Sequence, residues 1–318
     1  MASRFPEADL TKLKRVSIHD RGGLVRVEDF VDPYDPGEEI DGLFSVIPEL
    51  LAGADLRAAI EAIAGSAKAG GSVLVMFGAH LVKCGLSRLL VDLMERGIVT
   101  AVATNGAGAI HDFEIAMWGV TSEDVAKNLE DGSFGMCRET ADHMNAAATR
   151  AAERRIGLGE ALGESLARES AANRDASILA RAHDLGIPAT VHVAMGTDIV
   201  HEHPSADGAA IGASTLRDFR VLAGVVGGLE GGCVLNVGSA VVLPEVFLKC
   251  VAVARNLGAP VRSFTAVGMD MNAPYRAIRN VVERPTAQSG TGIALRGRHE
   301  LLFPILWAGL VRAFERGS

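Results

Sequence analysis

Aromatic side chains are scarce in this chain. Tryptophan and tyrosine occur twice each, and all aromatics make up 5% of 318 residues. The core must therefore be built from aliphatic and small residues, the material of parallel strands buried on both faces and closely packed helices. Cysteine is nearly absent too. Cys84, Cys137, Cys233 and Cys250 lie far apart and make no C-x-x-C pair. That pattern excludes a zinc ribbon and argues against a disulfide frame, so reduced thiols in a cytoplasmic protein are the expectation. Basic runs are missing, and the net charge is -8. Such a surface is a poor partner for nucleic acid or an anionic membrane. No apolar stretch reaches the ~18–20 residues of a membrane span. The opening MASRFPEADLTKLKR has no apolar segment of the secretory-signal kind.

Glycine is abundant, at 36 residues, and it recurs where apolar runs end. Residues 1–40 are polar and punctuated by Pro and Gly, with VDPYDPGEEIDG as a loop. They read as an N-terminal arm able to reach a neighbouring subunit. Residues 41–318 read as a single α/β domain. The pattern is helical through DLRAAIEAIAGSAKAGG and then becomes the continuous apolar run SVLVMFG (72–78), the mark of a strand buried on both faces. LSRLLVDLMERG is an amphipathic helix, and IVTAVATN (98–105) is a second buried strand. Further strands are expected at 187–196, 232–240 and 261–272, with a mainly helical insertion around 121–182. Strands alternating with helices predict a doubly wound, mostly parallel sheet.

Ligands of such sheets sit beyond the C-terminal strand ends. There the chain carries Gly78-Ala79-His80, then Asn105-Gly106-Ala107-Gly108, then Asp198, then Gly238-Ser239-Ala240, then Asp270. A single glycine at a strand-to-helix turn is ordinary punctuation. Five turns with glycine and polar partners point to a nucleotide-sized ligand met by backbone amides. GAGAIH is not the Rossmann fingerprint, because His111 stands at the third glycine position. His111-Asp112-Phe113-Glu114 is expected to open a helix. There the acids either complement the helix dipole or face the ligand as a general base or cation clamp. HVAMGTDIVHEHP offers His192, Asp198, His201, Glu202 and His203 as metal ligands. The i,i+2 spacing of His201 and His203 suits neither a strand face nor a helix face, so no metal is expected.

These stretches carry a resemblance. SVLVMFGAHLVKCGLSRLLVDLMERGIVTAVATNGAGAIHDFEIAM resembles the cofactor region of deoxyhypusine synthases. IPATVHVAMGTDI, NVGSAVVLPEVFLK and ELLFPILWAGLVRAF resemble that family's later strand ends and closing helix, in the same order. The resemblance implies an NAD-binding α/β fold, a homo-oligomer built as a dimer of dimers, and active sites at subunit interfaces. It implies that Gly78, Ala79, His80, Asn105 to Gly108, Asp198, Gly238 to Ala240 and Asp270 line NAD. Asp112, with His111 and Glu114, would face the substrate amine. The chain departs from the family where RNVVERPTAQSGTGIALRGRHE holds no lysine, and where Pro244-Glu245 replaces a histidine. An enzyme-bound imine needs a primary amine. Lys83 and Lys249 remain as candidates elsewhere. NGAGAIHDFEIAMWG also resembles the NAD domain of the archaeal and cyanobacterial type of ornithine cyclodeaminase, which needs no lysine nucleophile.

The expectation is an NAD-dependent enzyme that oxidises a small-molecule amine, either a polyamine or a basic amino acid, to an imine. Transfer or cyclisation would follow. One alternative is an inactive NAD-binding module of the same fold, and another is a metal-dependent hydrolase using His201, Glu202 and His203.

Overall fold

The computed structural model describes residues 40–316. The arm expected over residues 1–40 lies outside the described residues, except for its last position. The chain divides into two compact units at Leu50 and Leu51. The described part of the first holds one short helix, α1 (Ile40–Ser45), in which Ser45 Oγ donates to the Gly42 carbonyl at 2.7 Å.

The second unit is built on six strands: β1 (Val73–Phe77), β2 (Ala101–Asn105), β3 (Ala189–His192), β4 (Cys233–Val237), β5 (Thr265–Asp270) and β6 (Thr291–Arg296). Their order is β3-β2-β1-β4-β5-β6, and every neighbouring pair is parallel. This is the doubly wound Rossmann-like order, with its reversal between β1 and β4. β1 and β4 are buried at every position, as continuous apolar runs in the middle of a two-sided sheet must be. The five expected strands lie within their expected windows, and the sixth lies outside them. β6 is an edge strand in which only Ile293 and Leu295 are buried, and its glycine and threonine mask an alternation that GIALR does contain.

Helices cover both faces. α2 (Leu51–Lys68) lies on β1, β4, β5 and β6 and packs against α13 (His299–Glu315). The short α3 (Ala79–Lys83) and α4 (Ser87–Glu95) lead from β1 to β2. α10 (Gly208–Gly227) and α11 (Val242–Asn256) enclose Leu74, Met76, Ala103 and Val234 from the other face. Between β5 and β6 runs α12 (Tyr275–Ala277), continuing into a π-helical segment Ile278–Glu283.

The β2–β3 crossover carries five helices: α5 (Gly106–Trp118), α6 (Val125–Asp131), α7 (Arg138–Arg154), α8 (Leu158–Arg168) and α9 (Ile178–Leu185). All but α6 share a core of their own, which groups Phe113 of α5 with Ala141, Leu162 and Leu179. Asp218 of α10 locks this layer to the sheet. Its Oδ2 accepts amides from both Gly159, at the start of α8, and Val191 of β3, each at 2.9 Å. Burial pushes the Asp218 carboxyl up to about 7, although these donors oppose the shift. The folded state therefore holds a proton that the unfolded state has released. The contribution to stability is fully present near the unfolded value and is lost as pH rises through about 7. We expect Asp218→Asn to be less stable than the native chain, with a deficit that narrows between mildly acidic and mildly alkaline pH. Urea-unfolding midpoints across that range check this, and a widening deficit would contradict it.

Candidate functional site

The strands all deliver their C-terminal ends to one edge. At the β1–β4 reversal the Gly78 amide donates to the Val237 carbonyl at 2.9 Å. A side chain on Gly78 would put its Cβ 2.5 Å from the Gly238 carbonyl oxygen, so the two turns touch through bare backbone. Gly238 itself has φ +64. Ser239 is buried, with its Oγ 3.4 Å from the amide of Leu243 in α11, while Ala240 is exposed. Ala79 and His80, at the start of α3, are half-buried.

At the end of β2 the helix starts earlier than the sequence suggests. α5 begins at Gly106, and Asn105 caps it by accepting the Gly108 amide at 2.9 Å. The amides of Gly106 and Ala107 stand in its first turn, where a helix has no acceptors of its own. The Asp198 carboxylate lies against them, since a Cβ on Gly106 would fall 1.9 Å from Asp198 Oδ2. That oxygen is buried and has no hydrogen-bond partner. Burial raises the Asp198 carboxyl above its ordinary value, with His201 opposing the shift. An orphaned acceptor of this kind at a strand end fits a ligand hydroxyl.

His111, Asp112 and Glu114 therefore sit within α5 rather than at its start, and the helix separates them. Asp112 faces inward and is 0% exposed. Its two oxygens accept Ser177 Oγ at 2.6 Å and the amides of Ile178 and Leu179 at 2.7 and 3.1 Å. Ser177 is the N-cap of α9, so Asp112 satisfies the orphan amides of another helix. Burial pushes it up to about 6 against those three donors. The assignment of Asp112 to a substrate amine is thus corrected: the carboxylate is internal and structural.

Glu114 and His111 look outward. They line a cavity of about 570 Å³ beyond β2 and β3, together with Ala107 and Asp198. Thr121 Oγ donates to Glu114 Oε2 at 2.5 Å, and Thr140 Oγ donates to Oε1 at 2.9 Å. His111 Nδ1 is 2.6 Å from the same Thr121 oxygen. Because Thr121 gives its one proton to the carboxylate, His111 donates from Nδ1 and keeps the lone pair on Nε2. Desolvation lowers the His111 pKa despite the opposing charge of Glu114, which favours the neutral ring. The remaining wall is mixed: Ile110, Trp118, Val120, Val125 and Phe134 are apolar, while Glu123, Glu139 and Lys83 bring charge to the lining. The sequence does not point to Thr121, Thr140 or Lys83 as members of this cavity. Nothing local marks the threonines, because the fold of the insertion brings them to Glu114.

Asp270 belongs to a different place. It lines a second cavity, of about 470 Å³, with Asn236 and Arg296 beyond β4, β5 and β6. The histidines offered as metal ligands are not gathered. His201 Nδ1 accepts the Gly196 and Asp198 amides at 3.2 and 3.3 Å, and His203 Nε2 meets the Gly135 carbonyl at 2.9 Å. His192 is buried within β3 beside Thr190, and burial pushes its pKa down to about 4. The helix at Ile199–Glu202 is a single 3-10 turn that sends the imidazoles to separate backbone partners.

No protein-family model matches the sequence, and no curated protein matches it significantly. Solved structures do match. A Methanococcus maripaludis S2 protein provisionally described as LOR/SDH is 14% identical, with a TM-score of 0.52 over 83% of this chain and 71% of the other. AgrE, in its ternary complex with ornithine and NAD+, is 16% identical with a TM-score of 0.51. An Entamoeba histolytica protein provisionally described as a deoxyhypusine synthase is 13% identical, with a TM-score of 0.50 over 89% and 97% of the chains. What is shared is the fold. The chain has the α/β architecture of these proteins, including the deoxyhypusine-synthase-like one. It covers 33% of the AgrE chain, so it spans about a third of that protein. No described helix is long and apolar enough to cross a membrane.

The corrected role of Asp112 has a measurable consequence. Asp112→Ala leaves a hydroxyl and two amides buried without an acceptor, a loss worth about 2–3 kcal/mol. Equilibrium denaturation should show that loss directly. An unchanged midpoint with lost ligand binding would instead return Asp112 to the site.

Proposed function

We propose that this chain binds NAD along the C-terminal edge of its sheet and oxidises an amine carbon held in the cavity at Glu114. The observation that carries this reading is Glu114 itself. A carboxylate buttressed on both oxygens by threonine hydroxyls faces a cavity that combines apolar side chains such as Ile110, Trp118 and Phe134 with further carboxylates, Glu123 and Glu139. Such a pocket suits a cation on an aliphatic stem. The fold supports the cofactor, since AgrE of the same architecture holds ornithine and NAD+. Three features of this chain fit a dinucleotide. They are the bare backbone contact of Gly78 and Gly238, the first-turn amides of Gly106 and Ala107, and the orphan Asp198 oxygen for a ribose hydroxyl. Ala79, His80, Ser239 and Ala240 would flank the cofactor at the reversal.

Bound at that edge, NAD would supply the acceptor for the hydride on the carbon that bears the nitrogen. Glu114 anchors the ammonium and orients that carbon. His111, neutral and donating from Nδ1, offers Nε2 to the ammonium proton. The substrate ammonium thereby loses one proton and one hydride and becomes a protonated imine, whose positive charge stays beside Glu114.

Calorimetric titration of NAD into the purified chain is expected to show saturable binding, weakened by Asp198→Ala. NADH formation with polyamines and basic amino acids should then fall by about 10²–10⁴-fold in Glu114→Gln, the usual range for a lost acid–base or cation-holding group. No binding at millimolar NAD would end the cofactor reading. NAD binding with no oxidation of any amine would leave the chain as a binding module.

A further inference from the structure

Three side chains beside the β1–β4 reversal bring their donor atoms to a single point. His80, Cys84 and Glu300 each offer one ligand atom, and these atoms lie within 4.8 Å of one another. His80 and Cys84 are four residues apart, one helical turn, on α3 and its C-terminal cap. Gly85, with φ +73, turns the chain away immediately afterwards and leaves the thiol at the helix end. Glu300 arrives from the other end of the sequence, in the first turn of α13.

The approach of α13 is set from inside. His299 is buried, its ring meets the backbone of Gly238, and its Nε2 lies 3.3 Å from the Met269 carbonyl. The His80 and His299 rings contact edge to face at 5.6 Å. These contacts seat the first turn of α13 on the strand ends and bring Glu300 over α3. As protein contacts alone the trio is weak. Cys84 Sγ is 3.8 Å from Glu300 Oε2, and the nearest cation to the other Glu300 oxygen is Arg298 at 3.7 Å, on an exposed pair. Cys84 reaches Glu300 as a thiol through this long contact, and a divalent cation would take the place of its proton.

We propose that His80, Cys84 and Glu300 form a binding site for one zinc-like divalent cation. Imidazole, thiolate and carboxylate are the mixed donors that zinc accepts, whereas calcium and magnesium take oxygen. Two anionic ligands and one neutral ligand balance the charge of the ion. Three protein ligands leave the fourth tetrahedral position open, at the rim of the strand ends. The ion clips α3 to α13 and stabilises the folded chain by mass action. Its binding releases the thiol proton, so affinity weakens as pH falls. This site goes beyond the amine reading and does not depend on it.

The test is a titration of the full chain, stripped by chelator, with Co²⁺ and then Zn²⁺ in the absence of NAD. The expected result is one Co²⁺ per chain with thiolate-to-cobalt charge-transfer and tetrahedral d–d absorption, displaced by Zn²⁺. Cys84→Ser removes the charge-transfer band. Cys137→Ser, at the exposed thiol, keeps it. His80→Ala and Glu300→Gln weaken binding by at least about tenfold, the lower end of the effect of losing a group that merely orients a ligand. Glu300 is exposed, so its variant tests the site even if His80→Ala fails to fold. No stoichiometric binding by the folded chain, or a band that survives Cys84→Ser, would overturn the proposal. Neither result touches the NAD titration, so the two readings fail separately.

Discussion

The buried carboxylate of Asp112 holds the most demanding position in this fold. It projects from the middle of α5, has no contact with solvent, and accepts the hydroxyl and two amides that begin α9. A carboxylate with so little solvent is tolerated only because those donors replace water. The same contact joins the helix that leaves β2 to the helix that returns to β3. α6, α7 and the loops beside them, which lie between those two helices in the chain, contribute part of the wall of the larger cavity. Asp218 repeats the device at α8 and β3. Two internal acids at two helix N-termini thus seat a helical layer whose core is mostly alanine and leucine. Such small side chains give close packing but little directional specificity.

This division of labour separates α5 into an inner and an outer face. Asp112 and Phe113 look inward, while His111 and Glu114 look into the cavity. On a helix, residues i and i+3 share a face, so His111 and Glu114 belong together and Asp112 does not. Thr121 then bridges them, fixing the tautomer of His111 and the direction of Glu114 Oε2, while Thr140 holds Oε1. The polar contacts at this cavity therefore stand on one helix face, backed by threonines from the loop and helix that follow. The sheet edge itself is partitioned. Asp198 and the α5 turn lie at the larger cavity, Gly78 and Gly238 at the reversal, and Asp270 and Asn236 at a second cavity beyond β4 to β6.

Much of the sheet is legible in the order of its residues. SVLVMFG is a continuous apolar run and GCVLNVGSA an apolar run interrupted only by Asn236, each closed by glycine, and they form the central pair β1 and β4, buried at every position. The edge strand β6 escapes the same reading, because four of its six residues face solvent and its glycine and threonine resemble a loop. Asn105 looks like part of a flexible turn and is in fact a helix cap, which moves the start of α5 forward and turns Asp112 to the interior. The HEH segment fails as a metal site for a reason visible in its spacing. His80, Cys84 and Glu300 carry a ligand pair at one-turn spacing, but the third member is more than two hundred residues away in the chain.

By itself the sequence determined the parallel α/β class and the glycines that close its strands. Hydrophobic periodicity and turn chemistry are local, and they are written residue by residue. Only the tertiary structure decided which acid faces outward, which threonines orient it, and which distant side chains converge beside the reversal. Those outcomes depend on how helices from separate crossovers rotate about their axes and seat on one another, and packing sets that rotation through contacts far apart in the chain.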